Sequence, residues 1–130
     1  MQTSWNILVA SARLENRRAL IRILDGLPVN VIASSTLNQA RDVLTRQEIQ
    51  LVFCDDCLPG GTYRDLLSVP TVGKPRFVVT AESWELEGHQ RERGEGAFDL
   101  LRCPIQPTDV ELIVIRAARD FREPEYRMTA

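Results

Sequence analysis

The chain has 130 residues, of which 44% are hydrophobic and 26% are charged, values that are typical of one globular domain with a core of its own. Its net charge of −2 offers no basic field to a nucleic-acid backbone, so we expect no nucleic-acid partner. No apolar stretch approaches the roughly 20 residues that span a bilayer, and no signal peptide is evident, so we expect a cytoplasmic protein without membrane contact. The three cysteines are then expected to be free thiols.

Five short apolar runs recur along the chain, and each is continuous rather than alternating with polar residues. They cover residues 7–10, 29–33, 51–54, 77–80 and 98–101. Continuous runs rich in branched side chains are typical of strands that are buried on both faces of a parallel sheet. The sequence therefore predicts five parallel β-strands.

Helical patterns separate these strands. The first contains Leu20 and Leu24, the second follows Thr36 as a good N-cap, and the third is a short helix around residues 63–69. The fourth, over residues 83–93, is the weakest, because Trp84 and Leu86 are its only large apolar residues. The chain thus alternates between strand and helix, which indicates an α/β fold.

A last helix is predicted over residues 108–121. Thr108 and Glu111 have the spacing of a capping box at its start. The residues that follow, 122–130, are polar and include a proline. We therefore assign residues 1–121 to one domain and residues 122–130 to a polar tail or the start of a linker.

Five βα units with right-handed crossovers predict a flavodoxin-like, doubly wound, five-stranded parallel sheet with the order 2-1-3-4-5, or (βα)5. Ligands of such sheets bind beyond the carboxyl ends of the strands, where the loop after the first strand lies beside the end of the third. Asp55 ends the third apolar run, and Pro59 turns the chain away four residues later. Asp55 is therefore the predicted functional acid.

Segments in the loops and strands carry a more specific resemblance. They are residues 7–10, 51–55 with 58–60, 78–81, 96–97 and 103–104. In this order and spacing, over about residues 6–119, the chain resembles the receiver domain of bacterial two-component response regulators. The resemblance implies that Asp55 stands at the position that accepts a phosphoryl group from a histidine kinase. It also implies that Thr80 supplies the hydroxyl that contacts this group.

Other positions depart from the pattern of the family. Its pair of Mg²⁺-binding acidic residues falls on Ser11 and Ala12, its lysine falls on Cys103, and its switch aromatic falls on Leu100. The replacements at Ser11, Ala12 and Cys103 remove the charges that hold the metal and neutralise the phosphoryl group. We therefore expect no cofactor, with Mg²⁺ bound weakly at most.

The metal ligands that remain are few. Asp55 and the backbone of Cys57 are the only ones that the resemblance leaves, and Asp56 is expected to point to the other face of the strand. Arg13 follows the replaced acidic pair, and we hypothesise that its guanidinium pairs with Asp55.

The resemblance implies a non-enzymatic receiver domain with weak Mg²⁺-dependent phosphorylation that acts through protein contacts. The expected partner is a sensor histidine kinase or another signalling protein, and a homodimer would use the fourth helix, fifth strand and last helix. Two alternatives remain at this stage. One is a phosphorylation-independent interaction module, and the other is a thiol-responsive switch that uses Cys57 and Cys103.

Overall fold

A computed structural model of the chain describes residues 5–82 and 96–129, with side chains as far as residue 120. Five strands form one sheet with parallel neighbours, and two more form a small antiparallel hairpin. In chain order the strands are β1 (Trp5–Ala10), β2 (Val29–Ser34), β3 (Leu51–Asp55), β4 (Cys57–Leu58), β5 (Gly61–Thr62), β6 (Arg76–Glu82) and β7 (Ala97–Cys103). The sheet order β2-β1-β3-β6-β7 confirms the predicted order 2-1-3-4-5 of the five long strands.

Helices pack on both faces of this sheet. They are α1 (Leu14–Asp25), α2 (Leu37–Arg46), α3 (Tyr63–Leu67) and α4 (Pro107–Thr129). Thr36 is the N-cap of α2, as predicted, because its Oγ1 accepts a hydrogen bond of 3.2 Å from the backbone N–H of Gln39. The predicted helix over residues 83–93 lies outside the described residues.

The last helix, α4, differs from its prediction at both ends. It begins at Pro107, so Thr108 lies inside its first turn and is not the N-cap. Proline suits the first helical position, because its fixed φ is helical and the N–H that it lacks has no partner there. The backbone stays helical to Thr129, across the predicted boundary at residue 121. No helix in the described part of the chain is long and apolar enough to cross a membrane.

The core consists of two apolar layers, one on each face of the sheet. Alternate residues of a strand point to opposite faces, so neighbouring residues of β1 and β3 enter different layers. The layer under α1 and α4 includes Ile7, Phe53, Val78, Leu20 and Val110, and the layer under α2 and α3 includes Leu8, Val52, Val79, Leu44 and Leu66. Both faces of β3 are therefore buried, which explains its continuous apolar run.

The hairpin of β4 and β5 was not predicted. Pro59 and Gly60 form its turn, and the φ of +109° at Gly60 lies in the left-handed region that favours glycine. The backbone N–H of Leu37 donates to the carbonyl oxygen of Pro59 over 3.0 Å, which ties the turn to the start of α2. The chain is thereby led away from Asp55 immediately after β3 ends.

Candidate functional site

Asp55 lies where the carboxyl ends of three central strands meet. It is the last residue of β3 and is paired in register with Thr80 of β6. Ala10, the last residue of β1, is paired with Cys54, so Ser11 follows β1 next to Asp55. The register of the parallel sheet thus brings Ser11, Asp55 and Thr80 together, on the face covered by α1 and α4.

Three hydrogen bonds satisfy the carboxylate of Asp55, which is only 1% exposed. Oδ2 accepts one from the Ser11 hydroxyl and one from the Ala12 backbone N–H, each over 3.0 Å. Oδ1 accepts one from the Thr80 hydroxyl over 2.7 Å. A buried carboxylate needs such donors, because its desolvation would otherwise cost far more than a hydrogen bond supplies.

The two positions that correspond to the acidic pair of the resembled family therefore do touch Asp55. Both contribute donors rather than carboxylate oxygens: Ser11 uses its hydroxyl and Ala12 its backbone N–H. Mg²⁺ is commonly held through carboxylate oxygens, and neither contact adds a carboxylate to that of Asp55. Within the described residues, no cluster of three or more His, Cys, Asp or Glu side chains is placed to hold a metal ion.

Cys103, which the resemblance assigns to the position of the lysine, ends β7 on the same side of the sheet. Its thiol is buried and lies 3.3 Å from the Nδ2 of Asn16 on α1. Burial raises the pKa of Cys103, with a further increase from the negative charge of Glu82, while Arg13 acts in the opposite direction. The thiol therefore stays neutral and supplies no positive charge to the site.

Asn16 is a member of this site that sequence reasoning missed. It lies on the buried side of α1, four residues before Leu20 and eight before Leu24. A polar residue in that apolar stripe was the available signal, because a buried amide needs a hydrogen-bonding partner.

Arg13 corrects one of the hypotheses drawn from the sequence. Its Nη1 forms a salt bridge with Oε2 of Glu82 at 3.4 Å, and the carboxylate of Asp55 takes its hydrogen bonds from Ser11, Ala12 and Thr80 instead. Hydroxyl and backbone donors thus satisfy the carboxylate of Asp55, and the guanidinium of Arg13 pairs with a carboxylate two residues beyond Thr80 on β6. Arg13 therefore lies at the rim of the site, where its side chain is 41% exposed.

Asp56 and Cys57 connect the end of β3 to the hairpin. The Oδ1 of Asp56 accepts a hydrogen bond from the backbone N–H of Cys57, and the backbone N–H of Asp56 donates to the carbonyl oxygen of Thr80. Asp56 thus helps to fix the end of β3 against β6.

The three cysteines are free thiols in different surroundings. Cys57 is exposed, whereas Cys54 and Cys103 are buried. Burial is the largest cause of the raised pKa of both buried thiols. The thiolate is the reactive form, so burial disfavours Cys103 as a nucleophile, and the Cys57 and Cys103 switch stays a prediction.

Leu100, which the resemblance assigns to the switch position, is partly buried on the α2 and α3 side of the sheet. The aromatic residue of β7 is Phe98, two positions earlier, and it faces α4. The guanidinium carbons of Arg76 and Arg116 lie 5.7 Å and 5.9 Å from its ring centroid. Phe98 therefore contributes to the packing of α4 on the sheet.

Comparison with known proteins gives structural likeness at low identity. No protein-family model and no curated protein matches the sequence. The signal receiver domain of an HD-domain-containing protein from Pseudomonas fluorescens Pf-5 superposes with a TM-score of 0.79 at 19% identity, covering 98% of this chain and 96% of that one. A CheY-like response regulator receiver domain from Methanospirillum hungatei JF-1 gives 0.76 at 20% identity, covering 95% and 99%.

A third structure is a dimer, the beryllofluoride-activated NtrC4 receiver domain. It gives a TM-score of 0.77 at 16% identity and covers 89% of this chain and 98% of that one. All three coverages leave little of either chain unmatched. At 16–20% identity, these likenesses show the fold of the chain and do not show the chemistry of the site around Asp55. The chain has the fold of response regulator receiver domains.

Proposed function

We propose that this chain is a receiver-type signalling domain that acts through protein contacts, with Asp55 a poor Mg²⁺-dependent phosphoacceptor. The observation that carries the proposal is the environment of Asp55. Both of its carboxylate oxygens already accept hydrogen bonds from uncharged donors, and the positions of the family's acidic pair and lysine hold Ser11, Ala12 and Cys103.

The electrostatics of phosphoryl transfer support this proposal. A phosphoryl group adds a charge of about −1.5 to −2, and its transfer depends mainly on positioning and charge stabilisation. Two unit charges about 4 Å apart attract each other by about 4 kcal/mol at an effective dielectric near 20. That value is an upper guide to what each missing cation would have supplied. A neutral thiol at Cys103 and donors at Ser11 and Ala12 supply neither cation.

The role that we propose is therefore binding rather than catalysis. Its partner would be a sensor histidine kinase or another signalling protein in the cytoplasm. The proposed contact surface includes β7 and α4, together with residues 83–93, and a homodimer through this surface is part of the proposal. The structural neighbour that forms a dimer supports this choice as a precedent in the same fold.

The test measures covalent modification of Asp55. The protein is incubated with Mg²⁺ and acetyl phosphate, and intact mass reports the phosphorylated fraction; beryllofluoride binding is followed in parallel by near-ultraviolet circular dichroism. Asp55→Asn serves as the control for both measurements. We expect little modification and no spectral change beyond that of the control.

Stoichiometric modification that depends on Asp55 would overturn the proposal and establish a conventional phosphoswitch. Modification that is equal in the protein and in Asp55→Asn would come from other residues and would leave Asp55 unreactive, as proposed.

A further inference from the structure

The loop between β1 and α1, residues 11–13, covers the site. Ala12 and Arg13 are exposed, whereas Asp55 beneath them is 1% exposed and Cys103 is 4% exposed. The loop therefore lies against the carboxylate of Asp55, to which Ser11 and Ala12 donate, and the charge of Arg13 is close enough to act on Cys103.

Two sets of contacts hold this loop to the end of β6. The inner set runs from Ser11 and Ala12 through the carboxylate of Asp55 to the hydroxyl of Thr80. The outer contact is the salt bridge from Arg13 to Glu82, which lies two residues beyond Thr80 on the same strand. The salt bridge therefore connects the 11–13 loop to β6, as the hydrogen bonds of the Asp55 carboxylate also do.

The loop also has its own support at the start of α1. The backbone N–H of Arg13 donates to the Ser11 hydroxyl over 3.3 Å, and Nη1 of Arg17 donates to the carbonyl oxygen of Ser11 over 2.8 Å. These bonds link the residues of the loop to one another and to α1. Among the described residues, the salt bridge of Arg13 and Glu82 joins the exposed side of the loop to β6.

We infer that the ion pair of Arg13 and Glu82 is a latch that holds the 11–13 loop closed, and that opening the latch exposes Asp55 and Cys103 together. The latch controls access to the site described above and therefore rests on the proposed function. The pair is partly exposed, with side chains 41% and 47% accessible, so it is a weak contact that opens readily. A partner that offers a competing charge to either residue would shift the loop towards the open state.

Cys103 provides a direct reporter of this opening. In a Cys57→Ser background, which removes the exposed thiol, the rate at which iodoacetamide alkylates Cys103 measures how often the loop is open. Iodoacetamide is neutral, so its approach is not steered by the charges of the latch. Peptide mapping follows Cys54 in the same samples as a monitor of global unfolding, because Cys54 is buried within the sheet.

The informative variant is Arg13→Met, because the loss of the charge and the opening of the loop change the alkylation rate of Cys103 in opposite directions. The charge of Arg13 lowers the pKa of Cys103, so removing it raises the pKa, reduces the thiolate and slows alkylation if nothing opens. Loss of the latch instead speeds alkylation. We expect a rate about two- to fivefold higher, the range that the loss of one exposed ion pair permits.

Arg18→Met is the matched control, since Arg18 is an exposed arginine on α1. We expect it to leave the rate unchanged, and we expect the exchanged pair Arg13→Glu with Glu82→Arg to return the rate towards that of the parent. An Arg13→Met rate equal to or below the Arg18→Met rate would overturn the latch. Alkylation of Cys54 in step with Cys103 would also overturn it, because the whole domain would then be opening.

The assay contains neither Mg²⁺ nor a phosphodonor. Its failure would leave the proposed function standing, and phosphorylation of Asp55 in the earlier test would leave the alkylation rates unaffected.

Discussion

Two buried serines are expected to have opposite effects on stability: Ser11, which follows β1, and Ser34, which ends the neighbouring strand β2. The Ser11 hydroxyl donates to Asp55, whereas Oγ of Ser34 has no hydrogen-bond partner among the described residues. We expect Ser11→Ala to lower the free energy of unfolding by about 1.5–3 kcal/mol, since the lost bond is made to a charged group. Ser34→Ala removes an unsatisfied hydroxyl, so we expect stability to be unchanged or raised. Urea unfolding of both variants tests this contrast, and equal losses would contradict it.

The buried thiols predict a pH dependence of stability. Burial raises the pKa of Cys54 and Cys103 above the ordinary value of 9.0. Below that value the thiols are protonated in both the folded and the unfolded chain. As the pH rises through it, only the unfolded chain releases the proton, so the free energy of unfolding falls, by at most about 1.4 kcal/mol per pH unit for each thiol.

Urea unfolding between about pH 7.5 and about pH 10 measures this loss. We expect a shallower decline for Cys103→Ala than for the parent, because this variant lacks one of the two buried thiols. A decline that is the same in Cys103→Ala and in the parent would assign the effect to other groups.

At the scale of the element, the turn of the β4 and β5 hairpin depends on one glycine. Gly60 has a φ of +109°, and an added Cβ would lie 3.2 Å from Cβ of Leu37. We expect Gly60→Ala to lower the free energy of unfolding by about 1–2 kcal/mol. Gly26 is the matched control, because its φ of −83° suits alanine. Gly26→Ala should be neutral or stabilising by about 0.4–1 kcal/mol. Chemical denaturation of both variants measures the change in the free energy of unfolding.

The helix α4 is fixed to β7 by a charged contact over an aromatic ring. Arg116 forms a salt bridge with Asp99, whose side chain is 11% exposed, and also lies over Phe98. We expect Arg116→Met to cost about 1–3 kcal/mol, between the values for exposed and buried ion pairs, because it leaves a largely buried carboxylate with less support. Arg119→Met, at an exposed position of the same helix, should change stability by less than about 0.5 kcal/mol. Thermal unfolding that ranks the two variants equally would contradict this assignment.

The long elements could be predicted from sequence because burial leaves a pattern. The continuous apolar runs marked all five strands, and Thr36 marked the start of α2. The hairpin left no pattern, because strands of two residues are too short to show periodicity. The bounds of α4 were missed because Thr108 and Glu111 match a capping box that Pro107 pre-empts.

The same distinction applies to the site. Strand register placed Asp55 beside Thr80 and Ser11, and register follows from the fold. The partner of Arg13 could not be predicted, because the conformation of a long, partly exposed side chain on a loop leaves no pattern in the sequence. The role of Asn16 depended on the contact between α1 and β7, which joins residues 87 positions apart.

At the scale of the whole molecule, the apolar core and the polar site occupy different parts of the fold. The two apolar layers lie between the sheet and its helices, while Ser11, Asp55 and Thr80 lie at the carboxyl edge. Residues at that edge can therefore change their chemistry while the fold is retained. The chain keeps the receiver architecture with TM-scores of 0.76–0.79 to two receiver domains, yet surrounds Asp55 with donors.

This separation predicts that the fold will accept a rebuilt cation site. In the double variant Ser11→Asp with Ala12→Asp, one new carboxylate replaces the Ser11 hydroxyl, which lies 3.0 Å from Oδ2 of Asp55. The other replaces the methyl group of Ala12. Like charges at that distance repel, so we expect the metal-free variant to unfold at a lower temperature than the parent. Mg²⁺ should reverse this loss, by about 2.7 kcal/mol at a concentration 100-fold above its Kd, and should leave the parent unchanged. Thermal unfolding with and without Mg²⁺ measures the difference, and Asp55→Asn in the same background should weaken it. A variant that folds but gains no stability from Mg²⁺ would show that the edge of this sheet has lost more than its two carboxylates.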